Sequence, residues 1–206
     1  MTKIKICGLR RQEDIESVNL MEPDYVGFVF AKSRRQISNK EAGTLKEKLN
    51  PNIQVVGVFV NEEVSKILEL VKEGIINLIQ LHGDEDAEYI KYLTACTAAK
   101  IIKAIRVKDQ ESLNHIKQLP GDYLLFDTYK NDHYGGSGER FDWSLLSNID
   151  RRYFLAGGIN TDNVEVAIRL TKPYGIDISS GVETDGYKDR EKIIDFVKKV
   201  RSINNL

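Results

Sequence analysis

Short apolar runs alternate with longer amphipathic runs along the whole chain. Eight of the short runs are mostly apolar and end at turn residues, which is typical of strands buried on both faces of a parallel sheet. They span residues 3–7, 25–30, 54–60, 78–81, 101–105, 123–127, 153–156 and 176–178. The pattern therefore predicts eight short strands separated by longer connections.

Several connections have the spacing of a helix with one buried face. Apolar residues recur there at i, i+3, i+4 and i+7. These stripes are Val64, Ile67, Leu68 and Val71; Val164, Ala167, Ile168 and Thr171; and Ile193, Phe196, Val197 and Val200. Asn61 and Asp189 are placed as helix N-caps, and Gly74 is placed where a helix should end. The segment 143–149 is the weakest helix candidate.

Repeated β-α units tile the 206-residue chain without a linker or a low-complexity segment. A closed barrel and an open doubly wound sheet both use such units. The number of units favours the barrel, which runs as one domain at about 200–250 residues. The turn Cys7-Gly8-Leu9-Arg10-Arg11 also lacks the G-x-G-x-x-G fingerprint of many open sheets. We therefore predict a single (β/α)8 barrel (TIM barrel) domain over residues 1–206.

Composition argues against several classes of protein. Hydrophobic residues make up 41% and charged residues 30%, and the net charge is −1. Such a chain is neither disordered nor drawn generally to nucleic acid. The N-terminus turns polar too early for a secretory signal, and no apolar run approaches the roughly 20 residues of a membrane span. We expect a cytoplasmic protein that binds neither nucleic acid nor membrane.

Candidate chemistry is sought at the carboxyl ends of the predicted strands, where barrel enzymes place it. These positions are Cys7, residues 30–35, His82, Arg106, Asp127, Gly157, Gly158 and residues 179–181. Cys7 is either a structural thiol or a functional one. A thiolate can act as a base or a nucleophile only if its pKa falls, which nearby cations or helix N-termini can arrange. Asp127 either caps a loop or, when partly desolvated, serves as a general acid. Cys96 shares a helical stripe with Tyr89 and Leu93 and is assigned to packing.

Glycine-rich loops follow the last three predicted strands. They are Gly135-Gly136-Ser137-Gly138, Gly157-Gly158-Ile159-Asn160 and Ser179-Ser180-Gly181-Val182-Glu183. Barrels commonly bind phosphate between the loops after strands seven and eight, where glycine lets backbone N–H groups approach the anion. Tight turns alone would explain one such loop, but two adjacent loops favour a phosphate site.

Other polar residues at the predicted mouth complete the picture. In Ser33-Arg34-Arg35, an arginine could hold a planar carboxylate with two hydrogen bonds. His82 is a candidate substrate contact, although an isolated histidine is more often structural. His115 and His133 are interpreted as surface residues. Three scattered histidines and two distant cysteines form no zinc pattern, so we expect no metal.

With these residues identified, the chain resembles the phosphoribosylanthranilate isomerase family of tryptophan biosynthesis over essentially its full length. The resemblance rests on ordered motifs. They are Lys5-Ile6-Cys7-Gly8, Gly27-Phe28-Val29-Phe30 with Ser33 and Arg35, Gln80-Leu81-His82-Gly83, Phe126-Asp127, Gly135-Gly136-Ser137-Gly138, Phe141-Asp142-Trp143, Leu155-Ala156-Gly157-Gly158 and Asp177-Ile178-Ser179-Ser180-Gly181-Val182-Glu183. Two family prolines are missing, in Ser33-Arg34-Arg35 and in Thr184-Asp185-Gly186, and the first loss leaves open which arginine faces the substrate.

The resemblance implies an Amadori rearrangement that needs no cofactor. N-(5′-phosphoribosyl)anthranilate, a small phosphosugar, would become 1-(2-carboxyphenylamino)-1-deoxyribulose 5-phosphate. By motif, Cys7 would be the general base, Asp127 the general acid and Arg35 the ligand of the anthranilate carboxylate. The phosphate would be held by backbone of Gly157, Gly158, Ser180 and Gly181. Either a monomer or a homodimer fits such a barrel.

Three rival functions remain at the level of sequence. The related aminoimidazole-carboxamide isomerase of histidine biosynthesis would need a carboxylate at position 7 and a second, mid-chain phosphate loop. A phosphosugar epimerase would need metal-binding histidines at strand ends. A phosphometabolite-binding or nucleic-acid-binding module would use Lys32, Arg34, Arg35 and Lys40. The near-neutral charge and the acid–base pair argue against that module.

Overall fold

The computed structural model describes residues 1–114, 116–128 and 141–204. It confirms the barrel: eight parallel strands follow one another around a closed sheet, and the last pairs with the first. The strands are β1 (Lys3–Cys7), β2 (Tyr25–Val29), β3 (Gln54–Phe59), β4 (Leu78–Leu81), β5 (Lys100–Val107), β6 (Tyr123–Thr128), β7 (Tyr153–Leu155) and β8 (Gly175–Ile178). Each lies where the sequence predicts a strand, with ends that differ by no more than two residues.

Helices connect the strands on the outside of the barrel. They are α1 (Gln12–Met21), α2 (Asn39–Lys48), α3 (Val64–Lys72), α4 (Ala87–Cys96), α5 (Val164–Thr171) and α6 (Arg190–Asn204). After β5 and β6, the described residues form only short 3-10 helices, Gln110–Leu113 and Trp143–Leu146. The second of these replaces the weakest predicted helix. No helix in the described ranges has both the length and the apolar character needed to cross a membrane.

The loop after β8 forms a feature that the strand pattern does not predict. A 3-10 helix, Ser180–Val182, leads into an antiparallel hairpin of β9 (Glu183–Thr184) and β10 (Tyr187–Lys188). Both turn residues, Asp185 and Gly186, have positive φ, at 51° and 79°. Asp-Gly is a favoured pair for such a two-residue turn. We call residues 183–188 the β9–β10 hairpin.

Two predicted helix ends are confirmed. Asp189 precedes α6, and its Oδ1 accepts the N–H groups of Glu191 and Lys192 at 3.0 and 3.2 Å. Gly74 follows α3 with a φ of 71°. That left-handed conformation ends a helix and suits glycine, which has no Cβ.

Two other local predictions are wrong. Asn61 does not cap α3, since it lies in a turn at φ 50° and its side chain accepts the N–H of Asp84 at 2.8 Å. It therefore ties the loop after β3 to the loop after β4. Cys96 does not pack, because it is the exposed last residue of α4. The buried face of α4 contains Ile90 and Leu93 instead.

Strand geometry decides which residues face the inside of the barrel. Successive side chains of a strand point to opposite sides of the sheet. In β1, Lys5 and Cys7 therefore point into the lumen, whereas Ile4 and Ile6 pack in the core between sheet and helices. A second apolar cluster fills part of the lumen, as in a packed barrel core. It consists of Tyr25, Val56, Leu78, Ile102, Ala104, Tyr123, Leu125, Phe154 and Ala156.

Candidate active site

A cavity of about 390 Å³ opens at the carboxyl ends of the barrel strands. Barrel enzymes carry their active sites at this end, and small-molecule sites span roughly 300–1,000 Å³. The predicted site residues in its wall are Cys7, Arg35, His82, Asp127, Gly157, Gly158 and Ser180. Residues far apart in the sequence thus share one site.

Cys7 and Asp127 reach the cavity from strands that are not neighbours. Cys7 is the last residue of β1, and Asp127 is the next-to-last residue of β6. In the closed barrel, β7 and β8 lie between these two strands on the shorter way round. The thiol and the carboxyl therefore belong to different sides of the cavity wall, which suits a base and an acid acting on one bound molecule.

A buried ion pair lies one layer deeper in the lumen than Cys7. Lys5 Nζ donates to Asp177 Oδ1 at 2.9 Å, and both side chains are buried. Burial raises the pKa of the Cys7 thiol, while the ammonium groups of Lys5 and Lys188 act in the opposite direction. Burial also disfavours the Lys5 ammonium, but the attraction of Asp177 and Cys7 outweighs it and raises the pKa of Lys5. A buried ammonium group therefore lies close to the thiol.

Because Gly27 has no side chain, the Cys7 thiol has room beside it. The two residues are partners in the register of β1 and β2. A Cβ at Gly27 would lie only 2.6 Å from Cys7 Sγ and 3.1 Å from its Cα. The Cα of Cys7 belongs to β1 and cannot easily move away from such a Cβ. The Cys7 thiol would therefore have to change its position.

Gly27→Ala is expected to lower turnover by about 100-fold, because a displacement of about 1 Å in a reacting group has an effect of this size. Steady-state kinetics with the substrate proposed below would measure it. Gly43→Ala is the matched control, since a Cβ on that helical glycine meets only Ile75 Cδ1, at 3.7 Å. Equal turnover in the two variants would show that the position of the thiol does not depend on the missing side chain of Gly27.

The His82 ring lies between the Asp127 carboxyl and the buried amide of Gln80. Asp127 Oδ1 accepts the N–H of Thr128 at 2.8 Å, and its Oδ2 lies 3.3 Å from His82 Nε2. The ring's Nδ1 lies 2.8 Å from Gln80 Nε2. With this amide as donor, a neutral ring carries its proton on Nε2. In the described structure Nε2 is buried without an aligned partner, which suits a contact with a substrate oxygen.

Arg35 reaches the cavity already paired on one edge. Its Nε donates to Glu183 Oε1 at 2.7 Å and its Nη2 to Oε2 at 2.8 Å. Burial alone would raise the pKa of Glu183, but Arg35 and Lys188 lower it to about 2. Arg34 has a 58% exposed side chain and is not part of the cavity wall. The structure therefore places Arg35, rather than Arg34, at the site.

The loop after β7 lines the cavity with two glycines. Gly157 and Gly158 both have positive φ, at 77° and 70°. Neither N–H donates to another described residue. A Cβ at Gly157 would collide with Thr128 Oγ1 and would lie 3.0 Å from Asp127 Oδ1. This glycine therefore also lets the loop pack beside the end of β6.

The loop after β8 contacts both the loop after β7 and the end of β1. Ser180 lines the cavity, whereas Gly181 does not. A Cβ at Gly181 would collide with the carbonyl oxygen of Ile159, so this glycine permits close contact between the loops after β7 and β8. Ser179 Oγ donates to the carbonyl oxygen of Cys7 at 2.9 Å and ties the loop to β1.

Comparison with known proteins now decides the family. The sequence matches the family model for N-(5′-phosphoribosyl)anthranilate (PRA) isomerase over residues 4–199. This chain belongs to that family. An N-(5′-phosphoribosyl)anthranilate isomerase of Acetivibrio thermocellus is 49% identical to it over 98% of this chain and 96% of that protein.

Solved structures of N-(5′-phosphoribosyl)anthranilate isomerases share the fold over its full extent. The crystal structure of the phosphoribosyl anthranilate isomerase from Thermotoga maritima has a TM-score of 0.87 and 38% identity, over 98% of this chain and all of that one. A second structure of such an isomerase is a complex with reduced 1-(o-carboxyphenylamino)-1-deoxyribulose 5-phosphate. It has a TM-score of 0.84 and 35% identity, again over 98% and 100% of the two chains.

Some sequence candidates do not reach the site. Arg106 donates to Asp84 at 3.0 Å and is not part of the cavity wall. His115, His133 and the run Gly135-Gly136-Ser137-Gly138 lie outside the described residues. Within the described ranges, no three His, Cys, Asp or Glu side chains are grouped to hold a metal ion.

Sequence reasoning missed four charged residues around the site. They are Lys5, Asp177, Glu183 and Lys188. For Lys5 a signal was available, because strict alternation in Lys3-Ile4-Lys5-Ile6-Cys7 places Lys5 on the same face as Cys7. The others lie inside a family motif or the β9–β10 hairpin, and only the fold reveals their partners.

Proposed function

We propose that this protein catalyses the Amadori rearrangement of N-(5′-phosphoribosyl)anthranilate to 1-(2-carboxyphenylamino)-1-deoxyribulose 5-phosphate in tryptophan biosynthesis, without a cofactor. One observation carries the proposal. Cys7 and Asp127, from non-neighbouring strands, line a single cavity together with Arg35 and the loops after β7 and β8. Membership of the isomerase family supports the same reaction.

The rearrangement needs an acid and a base that act in sequence on the ribose. Asp127 donates a proton to the ring oxygen, the bond from that oxygen to C1′ breaks, and a protonated Schiff base forms. Cys7 then removes the C2′ proton, and the electron pair neutralises the nitrogen and leaves an enolamine. Proton transfer from the C2′ hydroxyl to C1′ gives the ketone, so the product is an isomer of the substrate. A thiolate and a carboxylic acid on different sides of the sugar suffice for these steps.

The two anionic ends of the substrate position the ribose between acid and base. Arg35 binds the anthranilate carboxylate, since a planar guanidinium matches a planar carboxylate. The backbone of Gly157, Gly158 and Ser180 binds the phosphate. For the first two, N–H groups that donate to no other described residue support this role beside the cavity. Gly181 contributes through close packing of the loop, and His82 contacts a substrate oxygen. Holding both ends lowers the entropic part of the barrier.

Arg35→Ala is expected to raise KM by about 10–100-fold, the equivalent of the roughly 1.5–3 kcal/mol of a hydrogen bond to a charged group. Its kcat should change much less, because the carboxylate does not react. Arg34→Ala removes an exposed ion pair to Glu183 at 3.2 Å but leaves the Arg35–Glu183 pair in place, so it should change KM by less than about twofold. If Arg34→Ala has the larger effect on KM, the assignment of the carboxylate to Arg35 is wrong.

A fluorescence assay tests the function as a whole. The unstable substrate is made in situ from anthranilate and phosphoribosyl pyrophosphate, and the isomerase should cause a protein-dependent loss of fluorescence. Rescue of a tryptophan auxotroph that lacks only this step is the test in cells. A flat trace with folded protein, together with turnover of the two-phosphate substrate of histidine biosynthesis, would favour the rival isomerase.

A further inference from the structure

The pairing of Arg35 with Glu183 has a consequence for how the substrate is recognised. We propose that Glu183 is a positioning residue that turns one edge of the Arg35 guanidinium toward the substrate carboxylate. The inference rests on the proposed function, and in particular on Arg35 as the carboxylate ligand.

The geometry of the guanidinium makes this role specific. Its five N–H groups lie in one plane and point in fixed directions. Glu183 occupies the side edge formed by Nε and Nη2, at 2.7 and 2.8 Å. The end edge, formed by Nη1 and the second N–H of Nη2, has no acceptor among the described residues. A carboxylate can bind this edge with two parallel hydrogen bonds.

Glu183 is itself held in place. Its side chain is only 5% exposed, and Lys188 Nζ donates to its Oε1 at 2.7 Å. Lys188 is the partner of Glu183 in the register of the β9–β10 hairpin, and its Nζ also donates to the carbonyl oxygen of Ser179 at 3.0 Å. Arg11 donates to the carbonyl oxygen of Lys188 at 2.9 Å and so ties the hairpin to the loop after β1. The two carboxylate oxygens of Glu183 therefore give Arg35 hydrogen-bond acceptors in fixed positions.

The stem of Arg35 is confined on its other side by Gly8. This residue has a φ of 86°, and a Cβ on it would collide with Arg35 Cδ. The aliphatic part of Arg35 thus packs closely on the backbone of Gly8, while its guanidinium binds Glu183. Both contacts restrict the same side chain, so the unpaired edge keeps a constant direction.

Charge and alignment make opposite predictions about Glu183. Arg34, Arg35 and Lys188 carry three positive charges around Glu183, and Glu183 cancels one of them. If charge alone governed binding, Glu183→Gln would add net positive charge and tighten binding of the carboxylate. If alignment governs binding, the same change loosens the guanidinium and weakens it. The sign of the effect therefore separates the two explanations.

The experiment compares two ligands by titration calorimetry. One is reduced 1-(o-carboxyphenylamino)-1-deoxyribulose 5-phosphate, and the other is the same molecule without its carboxyl group. The wild-type protein should prefer the carboxylated ligand by about 10-fold or more, as expected for a charge-assisted hydrogen bond. Glu183→Gln and Glu183→Asp should each reduce this preference by about 10-fold, with less than a twofold change for the ligand without the carboxyl group.

Controls separate positioning from folding and from charge. Glu165→Gln breaks an exposed Glu–Arg pair on α5 and should leave the preference unchanged. In an Arg35→Ala background, Glu183→Gln should have no further effect on the preference. Thermal unfolding checks each variant. If Glu183→Gln does not fold, Glu183→Asp, which keeps the charge but withdraws it by one methylene, decides the question.

Two outcomes would overturn the inference while the proposed function stands: an unchanged or larger preference in the Glu183 variants, or equal weakening of both ligands, which indicates a merely structural role. A wild-type protein that binds both ligands equally would instead show that Arg35 does not bind the carboxylate. The positioning role of Glu183 would then fall with it.

Discussion

Cys7→Ala is expected to lower kcat by about 100- to 10,000-fold, the range over which a positioned general base acts. In the proposed mechanism the thiolate acts only in the chemical step, so KM should change by less than about threefold. The fluorescence assay measures both constants. Cys96→Ala is the matched control, because Cys96 is exposed at the end of α4. A Cys7→Ala variant that keeps more than about a tenth of the wild-type kcat would exclude the thiol as the base.

The pH profile of the wild-type protein gives a second readout of Cys7. Burial raises the pKa of this thiol, so at neutral pH the group is mostly protonated. The base must be ionised to accept a proton, and the thiolate fraction grows as pH rises toward the raised pKa. We therefore expect the ultraviolet absorbance of the Cys7 thiolate to rise with pH. This rise should be absent in Cys7→Ala.

The strands could be predicted from the sequence because their burial leaves a strong signal. In β6, for example, Tyr123 through Phe126 are all buried, and the apolar run stops two residues before the strand ends. The stripe of Ile193, Phe196, Val197 and Val200 is likewise fully buried in α6. Caps are harder to predict, since one side chain can serve a local or a distant partner. Asn61 has the right residue type for a cap, but its partner lies in the next loop.

Only those site residues that lie at strand ends or in family motifs could be predicted from the sequence. Cys7 and Asp127 follow from their positions at the carboxyl ends of strands. Their electrostatic surroundings do not follow, because the partners are distant in the sequence. Lys5 pairs with Asp177, 172 residues away, and Arg35 with Glu183, 148 residues away. Closure of the barrel between β1 and β8 brings such pairs together.

One segment, the loop after β8, connects Cys7, the proposed base, to Arg35, the proposed carboxylate ligand. Ser179 binds the backbone of Cys7, and Lys188 binds both Ser179 and Glu183. Glu183 in turn holds Arg35. Closure of the barrel thus attaches Cys7 and Arg35 to the same segment. A change in the β9–β10 hairpin is therefore expected to affect both functions together.

Asp127→Asn is expected to lower kcat by about 100- to 10,000-fold, because an amide keeps the shape of the carboxyl but cannot donate an acidic proton. The ribose ring then opens without an acid, while both anionic ends of the substrate still bind, so KM should change little. Asp122→Asn is the matched control. It removes a carboxylate just before β6, at the far end of the same strand, and an amide oxygen can still accept the N–H of Ile101. Loss of turnover confined to Asp127→Asn supports the acid. Near-normal turnover in that variant would mean that another group opens the ring.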